Sequence, residues 1–269
     1  MFPLLQPLAC RALSATIVRS STRRAVHTNT ANVARNVRPW VWVSAFAATA
    51  LLLSKSAIKL DSPPPDETVD VASSIAFPNT LRIPSKVPLP TLTLIGVGVR
   101  TVSFLGIKVY SVGFYADLQN ANLDLPATAS PQEKLEHIVK NSACVLRIVP
   151  TRSTSFSHLR DGFMRSLQGR MALFRQRGIL SKEEEFSIQS PLHKFKTMFP
   201  NTPLAKHTPL DILLAPPEPQ QPRTLIIRDL GSVQHDWLAK EFFLAYFEGD
   251  GISPPMKKSV FARLEEIGW

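Results

Sequence analysis

Cysteine is nearly absent from this 269-residue chain, which holds only Cys10 and Cys144. Cys10 lies in a tail expected to be removed. One thiol then remains, which excludes an intramolecular disulfide framework and a zinc site built from CxxC pairs. Carboxylates are missing from residues 1–60, where eight Arg and Lys residues stand without an acidic counterpart. Residues 61–269 hold 23 basic and 21 acidic residues, so the net charge of +10 belongs to the tail and the body is close to neutral. A nucleic-acid-binding body is not expected, because phosphate backbones select clustered positive surface. Catalytic signatures are lacking too. His137, His158, His193, His207 and His235 show neither HxxH nor HExxH spacing, and no GxSxG or P-loop occurs. A metal site therefore has no support. The segment Gly96-Val-Gly98-Val-Arg100 is not a dinucleotide loop, since the third glycine and a following helical pattern are missing.

What the tail does contain is an address. Residues 1–38 are rich in Arg, Ser, Thr and Ala, and Leu4, Leu5, Leu8, Leu13 and Ile17 share one face of a helix with Arg11 and Arg19 outside it. An acid-free amphipathic N-terminus of this kind predicts a mitochondrial transit peptide. The uncharged stretch 39–54 follows, 16 residues long, somewhat short of the ~20 that usually cross a hydrocarbon core. Trp40 and Trp42 suit one interface, and Lys55 and Lys59 can snorkel at the other. Residues 39–60 are accordingly expected to anchor the protein in a mitochondrial membrane. A stop-transfer route would place it in the inner membrane with the body outside the matrix. Residues 61–90 carry seven prolines, including Pro63, Pro64 and Pro65, and read as a stiff linker.

The body, 91–269, begins with two β-branched apolar runs at 91–104 and 107–115, separated by Leu105 and Gly106. Ser130-Pro-Gln-Glu133 is a capping box with proline at the first helical position, opening a helix to about Lys140. A strand spans 143–149, and a long helix runs from about Ser155 to Arg177, with Gly178 as its stop. Ser181 and Glu184 open a further helix, interrupted near Pro191. Two strands at 210–215 and 223–230 and two helices at 236–247 and 255–267 complete the pattern. Strands in adjacent runs predict an α+β domain, a largely antiparallel sheet with helices on one face.

Arg100 is the unusual residue of the body, a charge in the middle of an apolar strand. It must face solvent, pair with an acid, or meet an anionic ligand. Strand alternation puts it on the face of Gly96 and Gly98, which leave space beside it. Tyr110 stands at the matching depth of the next strand, where its hydroxyl can share a ligand oxygen with Arg100. Phe242, Phe243, Tyr246 and Phe247 read as helix core, and Cys144 as a buried small hydrophobe.

Three stretches carry a resemblance: Gly96–Leu118 (GVGVRTVSFLGIKVYSVGFYADL), Arg160–Met171 (RDGFMRSLQGRM) and Gly251–Leu264 (GISPPMKKSVFARL). Together they resemble the chalcone isomerase-like family, and with the tail and linker they resemble its fungal mitochondrial branch. The resemblance implies an open-faced sandwich, a curved antiparallel sheet under a helical layer with a cleft between. It also implies that Arg100 matches the arginine that binds phenolate in the true isomerases. The rest of their catalytic set is not matched. Tyr110 stands for a catalytic threonine, Ala245 for a hydroxyl residue, and Phe156 and Phe163 for a tyrosine and an asparagine. In the family's fatty-acid-binding branch an Arg and Tyr pair holds a carboxylate. The expectation is a non-catalytic mitochondrial binder of an anionic hydrophobic ligand, a fatty acid or haem, held by Arg100 and Tyr110. Haem is the one cofactor considered, without a preferred axial histidine. The alternatives are an intramolecular lyase retaining Arg100 and a structural partner-binding domain with a small or filled cleft.

Overall fold

The computed structural model describes residues 66–84, 89–102, 105–121 and 123–267. The expected transit peptide (1–38) and membrane anchor (39–60) lie outside them. Among the described residues no helix is long and apolar enough to cross a membrane.

The strands β1 (Glu67–Asp70), β2 (Ile75–Pro78) and β3 (Thr80–Leu81) precede the two long strands β4 (Leu92–Val102) and β5 (Ile107–Ala116). Next come α1 (Pro131–Asn141), β6 (Cys144–Pro150), β7 (Thr154–Ser155), α2 (Phe156–Gln176) and α3 (Lys182–Thr197). The chain continues through β8 (Pro203–Leu204), β9 (Leu210–Leu214), β10 (Thr224–Ile227) and β11 (Gly231–Gln234) to α4 (Asp236–Leu244) and α5 (Pro254–Glu266). Seven strands form one antiparallel sheet in the order β11-β10-β9-β6-β5-β4-β3. The fold is α+β, as the strand and helix pattern predicts.

Both faces of the sheet are apolar, and each has its own cover. Val112, Phe114, Leu146, Ile148, Ile212 and Leu214 pack under the helices with Leu167, Phe195, Phe242 and Phe243. On the opposite face Tyr115, Val145 and Leu213 pack against Phe77 and Leu81. The β1–β2 hairpin supplies Phe77 and is latched by Asp70, whose carboxylate accepts from the Ser73 and Ser111 hydroxyls at 2.6 Å each. This corrects the reading of 61–90 as a linker, because β1, β2 and β3 lie within it. Strands of two to four residues carry too few alternations to stand out among prolines, yet burying Phe77 completely stabilises the fold by about 1.5–3 kcal/mol.

The helix ends are held as the sequence predicts, with capping boxes at Ser130–Glu133 and Ser181–Glu184. One helix differs. Pro191 lies inside a continuous α3 rather than interrupting it. An interior proline costs a helix about 3 kcal/mol; burial of Ile188, Leu192 and Phe195 on one face of α3 offsets that cost. Two buried cations close other termini. Arg223 donates to the carbonyls of Val139, Lys140 and Ser142 at the end of α1, and Lys134 donates to Leu264 and Ile267 at the end of α5.

The contact that positions the site is α5 against β4. A Cβ at Gly98 would lie 2.2 Å from the Met256 backbone nitrogen, and one at Gly96 would lie 2.6 Å from that of Val260. Only glycine admits a helix backbone this close. The space beside Arg100 that the glycines were expected to leave is therefore filled by α5. The Ser253 hydroxyl donates to the Val99 carbonyl (2.8 Å), and the Ser259 hydroxyl accepts from the Val97 N–H (3.2 Å). These two bonds satisfy the part of the β4 edge beyond its short pairing with β3, where no strand pairs among the described residues.

Candidate functional site

Arg100 and Tyr110 are direct cross-strand partners on β4 and β5. The next pair is Thr101 with Lys108, which leaves Val109 unpaired in a β-bulge. The bulge turns Val109 and Tyr110 toward the same side, and both line a cavity between the sheet and α2. Val102 completes the sheet wall, Ile252 closes the end before α5, and α2 contributes His158, Leu159, Gly162, Phe163, Arg165 and Ser166. The cavity volume is about 190 Å³.

The polar lining residues are Arg100, Tyr110, His158, Arg165 and Ser166, and none of them is acidic. Arg100 is half-buried, and its Nη1 donates to the Ile252 carbonyl at 3.2 Å. None of the ion pairs among the described residues involves Arg100. Other half-buried or buried arginines of the fold do have acids. Arg147 makes a two-point contact with Asp211 at 2.7 and 2.9 Å, and Arg170 pairs with Glu241. Of the three fates open to Arg100, pairing with an acid is not met among the described residues. Tyr110 is 3% exposed, and its hydroxyl sits 3.0 Å from that of Tyr246. Burial pushes the Tyr110 phenol up, while the Arg100 charge and the Tyr246 bond pull the other way. Tyr246 is raised well above the ordinary phenol range, first by burial. Both stay protonated and neutral at physiological pH.

The positions that would complete an isomerase are apolar here. Ala245 caps the end of α4 and does not face the cavity. Phe163 lines it with a ring, and Phe156 packs against the core. Sequence reasoning missed Tyr246 as a partner of Tyr110, because its helical spacing among phenylalanines reads as core. It also left His158 undistinguished from the other histidines, though it lies in the first turn of α2, at the cavity rim. Cys144 is fully buried and its thiol is pushed up to about 12, first by desolvation, so it is no nucleophile. Among the described residues no group of three His, Cys, Asp or Glu side chains could hold a metal ion. A neighbouring Ser187–His235 contact of 3.3 Å is not a catalytic dyad either. His235 Nδ1 accepts from the Leu238 N–H, which puts the ring proton on Nε2, facing Ser187.

A curved antiparallel sheet with a helical layer over an Arg–Tyr cavity defines an open-faced sandwich of the chalcone isomerase type. The solved fatty-acid binding protein of Arabidopsis thaliana has this fold, with a TM-score of 0.52 and 19% identity over 75% of this chain and 100% of its own. The profile of the family described as chalcone isomerase like matches residues 90–137 and 117–261. Altered inheritance of mitochondria protein 18, mitochondrial, of Kluyveromyces lactis is 27% identical over 239 residues, 74% of this chain and 73% of that protein. The Saccharomyces cerevisiae protein of the same name is 26% identical over 181 residues, 54% of this chain and 56% of its own length. An uncharacterized Schizosaccharomyces pombe protein is 34% identical over 127 residues, 40% of this chain and 45% of that protein. The chain belongs to the chalcone isomerase-like family, in the branch of these fungal mitochondrial proteins.

Proposed function

We propose that this domain is a non-catalytic binder of an amphiphilic anion in the mitochondrion, with Arg100 and Tyr110 holding a carboxylate of the fatty-acid type. The observation that carries the reading is a half-buried guanidinium with no acidic partner among the described residues, facing a cavity beside a phenol and apolar side chains, with no carboxylate in its lining. A carboxylate supplies the acceptor oxygens that the remaining guanidinium N–H groups want. At about 190 Å³ the cavity is smaller than the roughly 300–1,000 Å³ of typical small-molecule sites. It encloses the head group and the first methylenes, and a longer chain leaves through the mouth or displaces α2. The names of the fungal relatives and the ligand in the name of the plant protein support compartment and ligand class. Anchoring by 39–60 in the inner membrane, with the domain outside the matrix, belongs to the same proposal.

Ring closure of a chalcone needs donors aimed at a ketone oxygen as charge develops on it. Ala245, Phe156 and Phe163 offer none, which disfavours the lyase. Haem is the second reading, favoured by one observation: His158 lines the cavity that holds Arg100. The residues fit in kind, an imidazole for iron and a guanidinium for a propionate. The volume does not, since a porphyrin needs more space than 190 Å³, so α2 would have to withdraw. Titrating the full-length protein with saturated fatty acids by calorimetry, and with haem by absorbance, tests both readings. Saturable binding of the acids supports the first, and a Soret shift abolished by His158→Ala supports the second. Turnover of a chalcone above the solvent rate would overturn the non-catalytic reading.

A further inference from the structure

The Tyr110 hydroxyl is held from behind. Tyr246, in the turn that follows α4, is completely buried and does not line the cavity. Among the described residues, the Tyr110 oxygen, 3.0 Å away, is the one hydrogen-bond partner of its hydroxyl. The other group acting on it is the Arg100 cation, which can donate but not accept. A buried hydroxyl proton without an acceptor is costly, so the Tyr246 proton goes to the Tyr110 oxygen. That fills the acceptor position of Tyr110 on the side away from the ligand. The hydrogen of Tyr110 then turns to the other side, into the cavity.

We infer that Tyr246 is a positioning residue that sets head-group specificity: by donating to Tyr110 it fixes the Tyr110 hydroxyl as a donor into the cavity. The inference rests on the carboxylate site proposed above. With Arg100 also donating, a head group meets donors alone on the sheet wall. An ionised carboxylate, which only accepts, satisfies them. An alcohol of the same chain length brings a proton that neither residue can take.

The test uses the full-length protein with octanoate and 1-octanol as probes of equal chain length. In Tyr246→Met the thioether sulfur can take the Tyr110 hydrogen, which frees the Tyr110 oxygen to accept from the alcohol. One recovered hydrogen bond should tighten 1-octanol binding about two- to tenfold, with octanoate affected by less than about twofold. A merely structural role for Tyr246 would weaken both probes together. Tyr246→Phe keeps the ring contact with Phe242 (centroids 6.3 Å apart) but offers no acceptor, so it should fold and show no gain for the alcohol. If the Met variant does not melt cooperatively, Tyr246→Gln, whose amide oxygen also accepts, must show the gain. Unchanged or weaker 1-octanol binding, in a folded acceptor variant that still binds octanoate, overturns the inference and leaves the carboxylate site standing. Failure of the wild type to bind octanoate overturns both.

Discussion

Replacing Gly98 by alanine should be a strongly damaging single-methyl change, and its size follows from the α5 contact. The new Cβ would sit 2.2 Å from the Met256 nitrogen, 2.7 Å from the Met256 Cα and 2.7 Å from the Pro255 carbonyl carbon. All three are backbone atoms, so no rotamer change relieves the overlap. The first turn of α5 must move. Overpacking alone costs about 1–3 kcal/mol, and the backbone nature of the contact puts Gly98→Ala near the top of that range. Moving α5 also stretches the bond from Ser253 to the Val99 carbonyl, 2.8 Å in the native fold, which adds about 1 kcal/mol. The expected loss is about 3–4 kcal/mol, or a fall in Tm of roughly 6–16 °C for a domain of this size. Ile252 would shift with α5, so its carbonyl would leave Arg100 and ligand affinity would drop as well. Thermal and urea melts on Gly98→Ala and on Gly169→Ala make the comparison. Gly169 lies in α2 with nothing within 4 Å of its added Cβ, so alanine there should raise stability by up to about 1 kcal/mol. A loss below about 1 kcal/mol for Gly98→Ala would refute the reasoning.

Three further outcomes are expected. His235 caps α4 through an unprotonated Nδ1, and burial lowers its pKa below the ordinary 6.5. Its contribution is therefore complete above the unfolded pKa and declines as pH falls through the folded one. His235→Asn, which keeps a capping oxygen, should flatten that part of the curve in melts between pH 8 and about 5. Arg223→Ala should cost about 3 kcal/mol or more in urea melts, because the carbonyls of Val139, Lys140 and Ser142 lose a charged donor; a change within about 0.5 kcal/mol would contradict the capping role. The uncharged stretch 39–54 should keep the mature protein in the membrane pellet after carbonate extraction, and release into the supernatant would remove the anchor.

Local chemistry was the part of the fold legible in the sequence. Ser130–Glu133 and Ser181–Glu184 announce their helices because a capping box satisfies two backbone donors within four residues. The runs that became β4 and β5 are long enough to show their pattern, and so is the apolar face of α2. What escaped depends on contacts between distant segments. The β1–β2 hairpin is held by Phe77 against Tyr115 and by Asp70 on Ser111, none of which is written in its own four-residue strands. Pro191 reads as a break when taken alone and is carried by the core beneath it. At the site, the pairing of Arg100 with Tyr110 follows from their matching depth on two adjacent strands joined by a short turn. The filling of the glycine face by α5 and the Tyr110–Tyr246 bond bring together residues more than 130 positions apart.

The central claim rests on Arg100 as the residue that meets the ligand. Arg100→Ala should cost about 1.5–3 kcal/mol in octanoate binding, one to two decades in affinity, as expected for a charged hydrogen-bond donor. Arg100→Lys should recover only part of it, because an ammonium cannot reproduce the planar guanidinium fork. Stability should change little, since the side chain gives up one bond to the Ile252 carbonyl and no ion pair. Calorimetric titrations and thermal melts on the wild type and both variants measure the two quantities side by side. The account predicts a large loss of affinity with a nearly unchanged Tm. Unchanged affinity with a clearly lowered Tm would contradict it, and would make Arg100 a structural residue.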